Sequence, residues 1–247
     1  MKTTLRDVLH FTFPGLLLMV LTACGGGGGG GGGSAMQSSS PSETSLPAQN
    51  LKSAPAPAEP FNVPSATMTT SSGGNSYTAI YSETPNNGTT MFDGQEANSS
   101  TISLTITENG SPIVTEIDTA YYLENPYQPL GLTVSSNGEQ FDFLYNSTNP
   151  LPSTLTVGDS GTLGSGTYYV VNTNKSIGAL TQTYSVASND ASTVQLVTYA
   201  TGTVNGQSIS ETIYYAVDAS GAPQLDWFDI VVNGTTLTFN NPAEWEY

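Results

Sequence analysis

Apolar and polar residues alternate along much of the chain after residue 65, which is the period-two pattern of strands that bury one face. No stretch keeps a 3.6-residue apolar period for more than about two turns, so no helix is predicted there. The clearest alternation flanks residues 137–138, with apolar positions at Leu130, Leu132 and Val134 before them and at Phe141, Phe143 and Tyr145 after them. This part of the chain is therefore predicted to be all-β.

Turn signals separate the alternating runs. An Asn-Gly pair supplies the two positive φ angles of a type I′ turn, which makes it the strongest short-range sign of a hairpin. Such pairs occupy positions 109–110, 137–138, 205–206 and 233–234, and Asp218-Ala219-Ser220-Gly221 is a further turn.

The C-terminal half predicts a four-strand antiparallel meander. Residues 194–204 are expected to pair with residues 208–217, and further strands cover residues 223–232 and 235–239. One face of the second strand carries its apolar residues, Ile209, Ile213, Tyr215 and Val217. We therefore expect a single antiparallel meander domain over residues 66–247, folded as a strongly curved sheet, a barrel or a two-sheet sandwich.

The first 23 residues have the layout of a signal peptide. Lys2 and Arg6 precede an apolar run from Phe11 to Leu21, which is too short to cross a bilayer of roughly 30 Å as a helix. Nine consecutive glycines, residues 25–33, exclude a long buried helix at this point.

The tetrapeptide Leu21-Thr22-Ala23-Cys24 resembles the lipobox at which signal peptidase II cleaves bacterial lipoproteins. This resemblance covers about two dozen residues and implies removal of residues 1–23 and lipid attachment at Cys24. Because Gly25 and not Asp follows the cysteine, it also implies sorting to the outer membrane of a Gram-negative bacterium. The glycine run is similar to the tethers of surface-displayed lipoproteins. The expected location is therefore the outer membrane, with a domain that is periplasmic or surface-exposed.

Residues 24–65 are predicted to be a disordered tether that starts at the lipidated cysteine. Gly, Ser, Pro and Ala dominate this segment, which leaves too little apolar surface to offset the entropy of ordering. About 40 flexible residues reach roughly 35 Å, enough to hold the domain away from the membrane.

The charge of the chain excludes several partners and cofactors. The formal net charge is −16, and Lys175 is the only basic residue after residue 65. Such a field repels nucleic acid and favours a cationic partner or a divalent ion, although acidic residues also keep a β-protein soluble. Without His or Cys ligands no cofactor is predicted, with a structural calcium as the alternative, for which Glu116 and Asp118 share a strand face.

Catalysis is not predicted. The turn Gly158-Asp159-Ser160-Gly161 resembles the nucleophile loop of chymotrypsin-like proteases, but Thr162 replaces a further glycine and no histidine base follows Cys24. Glycan hydrolysis needs only two carboxylates, so it stays the alternative enzyme class. The nominal acids are Glu116, Asp118, Glu139 and Asp142, and nothing in their spacing selects a pair.

Three adjacent tyrosine pairs stand in strand-like runs. Successive side chains of a strand face opposite ways, so one ring of each pair is expected to leave the core. If the outward rings gather, they form a platform for sugar or peptide binding; alternatively, a second layer covers them. The candidate binding residues are Tyr121, Tyr122, Tyr168, Tyr169, Tyr214 and Tyr215.

Together these features predict a lipid-anchored, acidic β-domain that acts as a non-enzymatic binding or structural module of the cell envelope. Its partner would be a carbohydrate, a peptide or a cationic protein, besides the membrane that holds the anchor. The alternatives are a carboxylate-based glycan hydrolase and a β-sheet carrier of an apolar ligand.

Overall fold

The computed structural model describes residues 50–57, 63–124, 128–136, 139–173, 175–232 and 235–240. The predicted signal peptide, Cys24 and most of the predicted tether lie outside the described residues. None of the described residues forms a helix that is long and apolar enough to cross a membrane.

All regular elements in the described part of the chain are β-strands. In chain order they are β1 (Ser53–Pro55), β2 (Val63–Ser72), β3 (Asn75–Pro85), β4 (Thr90–Phe92), β5 (Gln95–Glu108), β6 (Ser111–Leu123), β7 (Gln128–Ser136), β8 (Glu139–Thr148), β9 (Thr154–Thr156), β10 (Ser160–Val170), β11 (Lys175–Ser188), β12 (Thr193–Val204), β13 (Gln207–Asp218), β14 (Pro223–Val232) and β15 (Thr235–Asn240).

Twelve of these strands form one nearly closed antiparallel barrel. Their order is β2-β3-β5-β6-β7-β8-β10-β11-β12-β13-β14-β15, so each strand lies beside the barrel strand that follows it in the chain. Strands β15 and β2 pair through a single pair of described residues, Asn240 and Thr69. Strand β4 extends the sheet beside β5, and β1 pairs with β9 in a small separate sheet. The predicted all-β antiparallel meander is confirmed, in its barrel form.

Successive connections between the strands lie at opposite ends of the barrel. We call these the hairpin end and the loop end, because their connections differ in length. The hairpin end carries tight turns, among them residues 73–74, 109–110 and 205–206. Asn109 and Asn205 have φ angles of 49° and 51°, and the glycines after them are also positive, as a type I′ turn requires. The predicted turns at residues 137–138 and 233–234 lie outside the described residues.

The loop end carries the longer connections and the predicted turn at residues 218–221. That turn is confirmed, because the Gly221 amide donates to the Asp218 carbonyl at 3.0 Å. The Asp218 carboxylate also accepts from the Ser220 amide at 2.8 Å and from the Ala222 amide at 3.0 Å. One side chain therefore holds the whole turn.

The predicted C-terminal meander is confirmed in its register. Val204 pairs with Gln207 and Val194 with Val217, and the apolar positions of β13 are buried as expected. At the other hairpin, Leu132 and Val134 are buried but Leu130 only partly. A β-bulge opposite Tyr121 and Tyr122 shifts the alternation of β7 before Gly131, which sequence periodicity did not reveal.

Side chains from all twelve strands fill the barrel interior. Phe143 is fully buried, with its ring centroid 4.9 Å from that of Tyr145 and 4.7 Å from that of Tyr168. Gly166 makes room for this ring, since a Cβ there would lie 2.3 Å from Phe143 Cζ. The interior is thus a packed aromatic and aliphatic core.

The segment 50–57 packs against the loop end, although the sequence assigned it to the tether over residues 24–65. The Ala54 side chain is buried, the Leu51 amide donates to the Asp190 carbonyl at 2.8 Å, and the Ala56 amide donates to the Ser153 carbonyl at 3.0 Å. Composition alone suggested disorder, but the edge of β9 offers backbone hydrogen bonds to any chain that can lie extended. Since β2 starts at Val63, the fold also begins before the predicted boundary at residue 66.

We predict that Ala54→Asp lowers the free energy of unfolding by about 2–4 kcal/mol, because it places a carboxylate in a buried apolar contact. The neighbouring Ser53 is exposed, so Ser53→Asp is the matched control and should change stability by less than about 0.5 kcal/mol. Urea unfolding followed by circular dichroism measures both. Equal effects of the two variants would show that this segment does not pack on the barrel.

Candidate functional site

Four acidic side chains lie inside the barrel. Glu83, Glu116 and Asp118 have no exposed surface, and Glu211 is 2% exposed. Glu116 and Asp118 share a strand face as predicted, and that face points inward because Val114, Ala120 and Tyr122 on it are core residues. The hydrophobic pattern of β6 is locally inverted, since Ile117 between the two acids is 54% exposed.

Glu83 is held by two hydroxyl groups. Ser100 donates to its Oε1 at 2.8 Å, and the Tyr81 hydroxyl donates to its Oε2 at 3.1 Å. Burial raises the pKa of Glu83 to about 8, although both hydrogen bonds favour the charged form. This carboxyl is therefore mostly protonated at neutral pH.

Glu116, Asp118 and Glu211 form an interacting group around Tyr168. Burial, followed by the charge of Glu116, raises the pKa of Asp118 and that of Glu211 well above their ordinary values. Burial and the charges of all three acids likewise raise the pKa of Tyr168. Neither Asp118 oxygen makes a hydrogen bond of good geometry, although Glu116 and the Ser135 backbone lie close by. Burial therefore disfavours the charged forms of Asp118 and Glu211.

The four nominal catalytic acids do not come together. Glu116 and Asp118 lie inside the barrel, whereas Glu139 is exposed at the hairpin end. Asp142 lies on the outer face of β8, where it accepts a hydrogen bond from the Thr133 hydroxyl at 2.9 Å. Among the residues that the structure describes, no group of three or more His, Cys, Asp or Glu side chains is placed to hold a metal ion.

The tyrosine pairs split as predicted. Tyr122, Tyr168 and Tyr215 are buried inside the barrel, while the outward members, Tyr121, Tyr169 and Tyr214, are partly exposed.

The predicted platform of outward tyrosine rings does not form. The outward rings lie on β6, β10 and β13, and two strands separate each from the next. At the usual strand spacing this places neighbouring members about 14 Å apart around the barrel.

Tyr214 instead joins two aromatic residues that sequence reasoning did not single out. Its ring stacks on that of Trp227, with centroids 4.2 Å apart and planes 21° apart. Tyr199, which is 41% exposed, lies diagonally across from Tyr214, because Tyr199 pairs with Thr212 and Val197 pairs with Tyr214. We call Tyr199, Tyr214 and Trp227 the aromatic patch. The pairing of β12 with β13 that the sequence predicts would have been enough to place Tyr199 near Tyr214.

A cleft of about 560 Å³ opens at the hairpin end. Hydrogen bonds between neighbouring strands hold its walls, from the Val171 amide to the Gln140 carbonyl at 3.2 Å and from the Asn205 amide to the Ile177 carbonyl at 2.7 Å. We call it the hairpin-end cleft; its lining residues are Glu139, Gln140, Phe141, Val170, Val171, Asn172, Lys175, Ile177 and Asn205. Three strand ends, those of β8, β10 and β11, and two turns contribute to it, so no local motif could have predicted it.

No protein-family model, curated protein or solved structure matches the chain. The geometry therefore supplies three features from which function can be argued: the sealed interior acids, the aromatic patch and the hairpin-end cleft.

We predict that the protein loses stability as the pH rises from about 4.5 to about 8. In this window the folded state holds a proton on Glu83 that the unfolded state has released, so unfolding becomes easier at higher pH. Glu83 alone contributes on the order of 4 kcal/mol to this change.

Urea unfolding at several pH values checks this, with Glu83→Gln as the informative variant. The neutral amide cannot titrate, so between pH 5 and pH 8 its stability should fall by on the order of 3–4 kcal/mol less than that of the wild type, and the slope that remains comes from acids such as Asp118 and Glu211. Glu124 is exposed, and Glu124→Gln should follow the wild-type profile. If the unfolding free energy of Glu83→Gln fell with pH as steeply as that of the wild type, the raised pKa of Glu83 would be contradicted.

Proposed function

We propose that the chain is an outer-membrane lipoprotein whose barrel serves as a non-enzymatic binding or structural module of the cell envelope. The lipobox-like Leu21-Thr22-Ala23-Cys24 and the glycine run after it support the anchor. Lipid on Cys24 and the new amino terminus would hold the protein far more firmly than a single acyl chain.

The observation that carries the binding role is the direction in which the chain enters the barrel. Segment 50–57 lies across the loop end, and β2 then runs from that end towards the turn at residues 73–74. A tether from the membrane would therefore meet the barrel at its loop end. The hairpin-end cleft lies at the opposite end, where it is open to external ligands.

The cleft suits an uncharged glycan. Val170 and Ile177 are partly exposed and offer apolar surface, while Gln140 and Asn172 offer amide groups that can hydrogen-bond to sugar hydroxyls. Its volume lies within the usual range for small-molecule sites. The lining carries one acid, Glu139, and one base, Lys175, and the net charge of the chain is −16, so a neutral glycan is the ligand class that we propose.

The two alternative functions have weaker support. Glu116 and Asp118 are sealed inside the barrel, and Glu139 and Asp142 do not face one another, which does not favour a glycan hydrolase. A carrier needs internal space for its ligand, whereas side chains such as Phe143 occupy the interior.

The anchor is tested by expressing the full chain in a Gram-negative host, separating the membranes and weighing the N-terminal peptide by mass spectrometry. We expect an acylated Cys24 in the outer-membrane fraction, and loss of both acylation and membrane association in Cys24→Ser. Thr22→Ser keeps a small polar residue in the lipobox and should behave as wild type. An unmodified Cys24 in the wild-type protein would refute the anchor.

The cleft is tested by measuring binding to an array of neutral and acidic glycans. Gln140→Ala should weaken binding to a neutral glycan about fivefold to tenfold, the usual effect of one lost hydrogen bond. Gln95 is exposed on β5 towards the loop end, so Gln95→Ala is the matched control and should change nothing. Equal affinities for both variants would exclude the cleft as the glycan site, whatever the anchor result.

A further inference from the structure

The aromatic patch lies on the outer face of three adjacent strands, β12, β13 and β14. Tyr214 and Trp227 stack on one another, and Tyr199 is exposed beside them. Tyr199 is 41% exposed and Tyr214 and Trp227 are partly exposed, so parts of these rings are available to a partner.

One carboxyl group, that of Asp229, lies beside the stacked rings. A β-bulge makes Asp226 an extra residue in β14, since Tyr214 pairs with Trp227 and Tyr215 with Leu225. Asp226 interacts with Asp190, and burial followed by the charge of Asp190 raises the pKa of Asp226 to about 6. Asp229 lies two residues after Trp227, and its charge contributes, after burial, to the raised pKa of the Tyr214 phenol.

The Asp229 carboxyl group has no cation nearby in sequence. The segment 193–232, which covers all three strands, contains no Lys, Arg or His. Asp229 Oδ1 has no hydrogen-bond partner of good geometry among the described residues, although the Tyr214 phenol lies within hydrogen-bonding reach of the same carboxyl group. This carboxyl group can therefore accept a further hydrogen bond.

We propose that the aromatic patch, together with Asp229, binds an arginine side chain of a partner protein. A guanidinium group can stack on an aromatic face and donate to a carboxylate at the same time, which an ammonium group does less well. The net charge of −16 makes the barrel complementary to a basic partner and speeds the encounter. This inference does not depend on the lipid anchor or on the hairpin-end cleft.

The test uses the full chain as Cys24→Ser, Trp245→Phe, in which Trp227 is the only tryptophan and reports binding by its fluorescence. The probe is a blocked peptide of alternating glycine and arginine, compared with the same peptide carrying lysine. We expect a saturable change in Trp227 fluorescence and an affinity for the arginine peptide at least about threefold higher than for the lysine peptide.

Three variants separate the patch from the general field of the protein. Asp229→Asn should lower the affinity for the arginine peptide about fivefold, and Tyr199→Ser about twofold to threefold. Asp142→Asn removes the same charge from the outer face of β8 and should change the affinity less than twofold. An equal loss in Asp229→Asn and Asp142→Asn, or binding without a change in Trp227 fluorescence, would overturn the proposal and leave only attraction by net charge.

Discussion

The barrel depends on one constraint: every strand must place every second side chain in a shared interior. In a nearly closed sheet no strand can turn its inner face away without losing pairing on both sides. The apolar residues that form the majority of the inner face therefore fix the register, and the few acidic residues on the same face are buried with them. Glu83, Glu116, Asp118 and Glu211 are carried inside in this way, and burial raises the pKa of Glu83, Asp118 and Glu211, which favours their neutral forms.

Local sequence signals predicted the local structure well. The Asn-Gly turns at residues 109–110 and 205–206, the pairing of β12 with β13 and the bounds of β14 all follow from alternation and turn chemistry. The errors arise where the partner is distant in sequence. The Pro- and Ala-rich composition of segment 50–57 does not indicate that it pairs with the edge of β9. The bulge that displaces Leu130 likewise depends on the pairing of β7 with β6.

The candidate sites were harder to predict, for the same reason. Strand alternation separates the two members of each tyrosine pair, but only the number of intervening strands places the outward rings on different sides of the barrel. In β6 the exposed Ile117 lies between two buried acids, so the hydrophobicity of these three residues alone would predict the opposite face of the strand to be buried. The inner face was decided by Ala120, Tyr122 and Val114 together with the neighbouring strands.

The small sheet of β1 and β9 also determines how the molecule carries mechanical load. Any pull on the N-terminus reaches segment 50–57 before it reaches β2, and that segment is held by three residue pairs and a few backbone hydrogen bonds. Much longer ladders join the barrel strands. Under tension β1 should therefore separate from β9 before any barrel strand separates from its neighbour. The released segment would lengthen the connection to the N-terminus while the barrel stays folded.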